Sequence, residues 1–152
     1  MSRRVKSMVR KVKNVRQDEA MTEMPVMTLQ QYCPDLQDWP ERWKFDENDI
    51  APGQAIVEFF KPFLLSLLAK NLSVKMLRRD RDHLWLLGGE LIRRRYDDPK
   101  LKKMPAHKAI GLLIEEDGGP LIWPRITETE QNDFDATCRK LYKYLNSDQI
   151  PV

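Results

Sequence analysis

Cysteine and histidine are both scarce, with two of each in 152 residues. Cys33 and Cys138 are too few for a disulfide framework and too far apart for a C-x-x-C site. With His83 and His107 they offer no familiar metal spacing and no H-E-x-x-H arrangement, so neither a metal nor a cofactor is expected. Six glycines leave little room for a phosphate loop, and neither Gly88-Gly89 nor Gly118-Gly119 is followed by the required Lys-Ser/Thr ending. Asp46 to Asp49 opens like a calcium loop, but Ile50 and Ala51 stand where a ligand and a glycine are needed. The longest apolar run, Phe63 to Ala69, is far short of the roughly 20 residues of a membrane span. No segment alternates apolar and polar residues with a period of two, so no strand is expected. Glu115-Glu116-Asp117 reads as a solvated helix end, and Cys138 as a structural thiol on an apolar stripe. With so few convergent polar groups, the chain reads as non-enzymatic, without a small-molecule substrate.

What is abundant is charge. Lys and Arg number 26 and Asp and Glu 23, a formal net charge of +3. The small sum hides four blocks: +7 over residues 1–17, −8 over 18–60, +8 over 61–108 and −4 over 109–152. Segregated charge predicts polarised surfaces, because field strength follows local clusters rather than totals.

Residues 1–25 read as a basic flexible leader. Val5, Met8, Val9, Val12 and Val15 recur at helical spacing among its bases, but β-branched residues weaken an isolated helix. Four readings are open: a nucleic-acid arm, a membrane-surface helix, a targeting segment and an unstructured leader. Met21, Met24 and Met27 each offer an alternative start. Residues 26–53 form an acidic, aromatic lead-in, which Pro25, Pro34, Pro40 and Pro52 keep from becoming one long helix. Thr28 to Tyr32 has room for one short turn. Trp39 and Trp43 could present an aromatic edge to a partner; the favoured reading is that they and Phe45 pin the lead-in to the helical body.

That body, residues 54–146, is expected to be all-α, a compact bundle of four main helices followed by a tail at 147–152. The first helix carries Ile56, Phe59, Phe60, Phe63, Leu64, Leu67 and Leu68 at three- and four-residue steps, with Pro62 expected to kink or split it. After the Lys70-to-Ser73 turn, Ser73 caps a second helix over 74–95 that buries Leu77, Leu84, Trp85, Leu91 and Ile92. Gly88-Gly89 inside it marks either a break or a close helix crossing. A third helix spans 105–116, with Asp117 to Pro120 as its terminator. Leu121 to Pro124 reads as an apolar connector over the core. Thr127 and Glu130 form a capping box that starts the last helix, 128–145, which buries Phe134, Cys138, Leu141, Tyr142 and Leu145.

The strongest functional signal lies in residues 70–95. Lys75, Arg78, Arg79 and Arg81 cluster where the second helix begins, beside Ser73 and its free amides, and Arg93, Arg94 and Arg95 close the helix. Arginine forks match phosphate geometry, and a helix start favours anions. The competing reading is a solvated face laced with ion pairs, with Asp80 and Asp82 as local partners and His83 on the same polar face.

The stretch from Phe63 to Gly89, with its Leu72-Ser73-Val74-Lys75 turn leading into a basic helix, resembles the helical core-binding domain of tyrosine recombinases and phage integrases. The likeness follows helix order over about 55–145 and is recognisable in pattern over 63–87. It implies a SAM-like four-helix bundle that clamps duplex DNA, with phosphate contacts from Ser73, Lys75, Arg78, Arg79 and Arg81. The recombinase catalytic domain has no counterpart here, because Tyr142 and Tyr144 lack its Arg and His-x-x-Arg partners. The expectation is therefore a stand-alone, cytoplasmic DNA-binding module of mobile-element type, with Arg93, Arg94 and Arg95 as further contacts and no membrane partner. The alternative is a protein-interaction module, an adaptor or inhibitor, using the acidic Trp39- and Trp43-bearing segment.

Overall fold

The computed structural model describes residues 27–147, so the readings of the leader and of all but the first residue of the tail fall outside the described residues. The all-α expectation holds. In order the elements are α1 (Leu29–Tyr32), a 3₁₀ turn (Leu36–Asp38), α2 (Trp39–Trp43), a second 3₁₀ turn (Glu47–Asp49), α3 (Ile50–Ala69), α4 (Val74–Arg94), α5 (Pro99–Lys102), α6 (Ala106–Leu113) and α7 (Glu128–Ser147). The described residues contain no strand, only one isolated bridge between Glu115 and Gly118.

Several boundaries follow from identifiable caps. Thr28 and Gln31 form a reciprocal capping box at α1. The Ser73 hydroxyl accepts from the Met76 amide at 3.1 Å and opens α4. Thr127 and Glu130 exchange the two expected bonds at 2.9 and 3.0 Å. These side chains satisfy amides that have no intrahelical acceptor. α3 differs from expectation, because it starts at Ile50 and runs through Pro62 without interruption. α6 is shorter than the predicted third helix, ending at Leu113 before the Glu115–Gly118 turn.

α3 is the central element. Its Ile56, Phe60, Phe63, Leu64 and Leu67 are all buried, and it packs against α1, α2, α4 and α6. α7 closes the other side of α4 with buried Phe134, Cys138 and Leu141; Tyr142 and Leu145 are only partly buried. The 26–53 segment, from α1 onward, belongs to this same core. Tyr32, Cys33, Leu36, Trp39 and Trp43 are buried with the helices, which removes Trp39 and Trp43 as surface anchors for a partner. Phe45, in contrast, is exposed at 64% and leans edge-on against Tyr96.

Glycine decides how α2 docks. The Trp43 indole lies so close to α4 that a Cβ on Gly88 would come within 2.4 Å of the ring, and its Nε1 donates to the Trp85 carbonyl at 2.9 Å. Pro40 also lies close to Gly53 of α3, at 2.9 Å from a Cβ placed there. Gly88-Gly89 is thus a close crossing within an unbroken α4.

Gly88→Ala should therefore destabilise in urea unfolding by about 1–2 kcal/mol net, the upper range of the usual overpacking penalty less the gain in helix propensity. Gly111→Ala is the matched control: nothing lies within 4 Å of its Cβ, so it should be neutral or stabilising by up to about 1 kcal/mol.

Candidate functional site

The eight predicted phosphate contacts are scattered by the fold and mostly engaged. Ser73 commits its hydroxyl to the cap. Arg79 faces Asp133 at 3.8 Å, with its Nε buried and unpartnered. Arg81 pairs with Asp82 at 3.0 Å and also donates to the Tyr32 carbonyl at 3.1 Å. Arg93 and Arg94 reach Glu90 at 3.4 and 2.5 Å, and Arg95 reaches Asp49 at 3.5 Å. Only Lys75 and Arg78, both exposed on the first turns of α4, have no carboxylate partner among the described residues. Between residues 27 and 147, nineteen Lys and Arg face nineteen Asp and Glu, so the folded body carries no formal excess of positive charge.

Three buried carboxylates organise this pairing. Asp49 accepts from the Tyr96 hydroxyl at 2.6 Å and from the Phe45 and Asp46 amides at 2.8 and 3.2 Å. Burial alone would raise its pKa; these bonds and Arg95 outweigh that and hold it below the usual range. The same bond pushes the Tyr96 hydroxyl up to about 12. Glu90 follows the same logic: burial opposes its charge, while Arg125, Arg94 and Arg93 draw its pKa down. Asp80 is fully buried and accepts from Thr137 Oγ1 at 2.8 Å and Lys140 Nζ at 2.7 Å.

His83 joins the Asp80 chain, instead of standing on the basic face. Its Nδ1 lies 2.7 Å from Thr137 Oγ1, whose single proton goes to Asp80. The Thr137 oxygen must then accept, so His83 carries its proton on Nδ1 and leaves Nε2 with a lone pair. Burial first, and Arg79 second, hold its pKa below the ordinary 6.5. The ring also stacks edge-on against Phe134. Cys33 and Cys138 are buried and free; desolvation pushes the Cys33 thiol up to about 12 and raises Cys138 too, so neither is an activated nucleophile.

His83 also lines a groove of about 570 Å³ that runs across the middle of α4. One wall comes from the segment around α2, with Pro34, Asp35, Trp39 and Arg42; the other from Ile126 and Glu130 at the start of α7. Between them lie Arg81, Asp82, His83, Trp85 and Leu86. Trp85 was expected in the core but is 41% exposed. Its periodicity explains why: Lys75, Arg78, Asp82 and Trp85 follow three- and four-residue steps, Arg93 and Tyr96 continue the same face beyond Gly89, and all six are exposed, whereas Leu77, Leu84, Leu87 and Leu91 line the opposite, buried stripe. Among the described residues, no three His, Cys, Asp or Glu gather to hold a metal ion, and no helix is long and apolar enough to cross a membrane.

The depressed His83 pKa has a testable sign. The unfolded chain binds this proton more readily than the folded one, so stability should fall as pH drops below 6.5 and keep falling until the folded pKa is reached. Asp49 and Glu90 lose their contributions only at lower pH, below the ordinary values of 3.8 and 4.5. Urea unfolding between about pH 5 and 7.5 should therefore show a slope that His83→Asn flattens. In comparison with known proteins, no family model, no curated protein and no solved structure matches the chain, so the functional reading rests on these residues.

Proposed function

We propose that the chain is a non-enzymatic binding module whose working surface is the groove over α4, occupied by a peptide segment of a protein partner. The observation that carries this reading is Trp85, a large aromatic left 41% exposed inside a concave surface. Leu86 and Ile126 add apolar lining beside it, and Arg42, Asp35, Asp82 and Glu130 add charged lining. An aromatic anchor within a polar rim is the usual anatomy of an interface hot spot. The trough is open to solvent, which suits an extended or helical peptide better than a small molecule needing most of its surface enclosed. The charged pairs of the lining, Arg42–Asp35 at 3.2 Å and Arg81–Asp82 at 3.0 Å, would set register more than affinity.

A second reading, binding of duplex DNA, keeps one observation on its side. Lys75 and Arg78 stand exposed at the start of α4 without a carboxylate partner among the described residues, at positions where the sequence resemblance to recombinase core-binding domains would imply phosphate contacts. The mobile-element setting belongs to that reading. Two cations on a formally neutral body supply little of the phosphate neutralisation that drives such binding, so any duplex affinity should be weak and lost with modest salt.

Covering the exposed part of Trp85 removes about 100 Å² from water, worth about 2–3 kcal/mol. Trp85→Ala should thus weaken a purified partner at least about thirtyfold, while circular dichroism stays unchanged. Lys75→Glu with Arg78→Glu should leave partner binding intact and abolish any gel shift of duplex DNA. Loss of partner binding in the double variant, with none in Trp85→Ala, would reject the groove.

A further inference from the structure

Near the C-terminal end of α4, one carboxylate is shared by more cations than it can neutralise. Glu90 is buried, its side chain 1% exposed, yet three arginines converge on it. Its Oε1 accepts from Arg125 Nη2 at 2.6 Å; its Oε2 accepts from Arg94 Nε at 2.5 Å and Arg93 Nη2 at 3.4 Å. Arg94 Nη2 also donates to the Leu121 carbonyl at 3.1 Å, which fixes the fork from a second side. The three side chains remain 44, 33 and 49% exposed for Arg93, Arg94 and Arg125. Three positive charges against one leave an excess of two.

We propose that Arg93, Arg94 and Arg125 form a binding site for a phosphate monoester, with Glu90 as the buried keystone that holds the three guanidiniums in place. The charge excess matches a phosphate dianion, whereas a carboxylate or a phosphodiester would answer only half of it. Three guanidiniums own fifteen N–H donors. Only four of these are engaged by Glu90 and Leu121, so donors remain for an incoming oxyanion. Guanidinium forks suit phosphate oxygens, and groups already held in position lose little further freedom on binding. Trp123, 46% exposed, lies two residues before Arg125 in the connector that Arg94 grips, which makes esters carrying a ring a useful comparison with inorganic phosphate. This site does not draw on the peptide groove, whose failure would leave it standing.

The test is a titration of the full chain, followed by NMR of the arginine side-chain N–H signals. The probes are inorganic phosphate, phenyl phosphate, adenosine monophosphate, dimethyl phosphate and a short DNA duplex, with sodium chloride at matched ionic strength. The monoesters and inorganic phosphate should give saturable shifts at Arg93, Arg94 and Arg125, with dimethyl phosphate at least tenfold weaker. Tighter binding of the ring-bearing monoesters than of inorganic phosphate would assign the source to a nucleotide-like ligand. The reverse order would assign it to free phosphate, and either order supports the site. Arg125→Gln should reduce affinity at least tenfold. Because Arg125 could also tether the connector, Arg93→Gln provides the second variant: it has the longest bond to Glu90 and no bond to the connector, and should weaken binding similarly with an unchanged melting temperature. No saturable shift, shifts reproduced by chloride, equal binding of dimethyl phosphate, shifts appearing only with duplex DNA, or affinity indifferent to both variants would each overturn the proposal.

Discussion

The fold depends on one steric fit, the Trp43 indole against Gly88. Without side chains at Gly88 and Gly89, α4 lets a six-carbon ring lie on its backbone, and the Nε1 bond to the Trp85 carbonyl fixes its angle. That contact turns a proline-broken segment into a structural wall. It brings Trp39 and Pro40 with it, and Pro40 in turn seats against Gly53 of α3. The groove exists because α2 is held there: remove the crossing and one side of the trough is gone. Trp85, whose carbonyl receives the bond, then lies beside the wall that its neighbour anchors.

The same packing decides the electrostatics. A helix with seven bases on or beside it looks strongly cationic when read alone. In the fold, Asp49 arrives from the turn before α3 and Asp133 from α7, while Asp82 and Glu90 lie on α4 itself. Arg79, Arg81 and Arg95 are each answered singly. What survives is local: two unpaired cations at one end of α4, and three arginines sharing one carboxylate near the other. Exposed pairs such as Arg81–Asp82 add little stability, but they remove field, and field is what a phosphate clamp requires.

Much of the architecture was legible in the chain because it is local. Ser73 and Thr127 with Glu130 cap as expected, and the apolar steps of α3 and α7, read from neighbours within four residues, bury Ile56, Phe60, Phe63, Leu64, Leu67, Phe134, Cys138 and Leu141 and leave Phe59, Leu68, Tyr142 and Leu145 partly buried. Long-range consequences were not legible. Pro62 lies in an otherwise well-packed helix and does not divide it. Arg95 meets Asp49 across 46 residues, and His83 meets Thr137 across 54, distances over which residue spacing carries no signal. Trp85 is the instructive miss. Its hydrophobicity suggested burial, yet its step from Lys75, Arg78 and Asp82 already placed it on the outer face.

The central claim is that the molecule works through the middle of α4, at the groove, and not through the basic turns at its start. Site-specific photocrosslinking in the native host tests this most directly, with a benzophenone amino acid placed at Leu86 in the groove lining or at Lys75 on the first turn. Crosslinks to a discrete protein from position 86, with none from position 75, are the expected result. Crosslinks to DNA from position 75, with nothing captured at position 86, would contradict it.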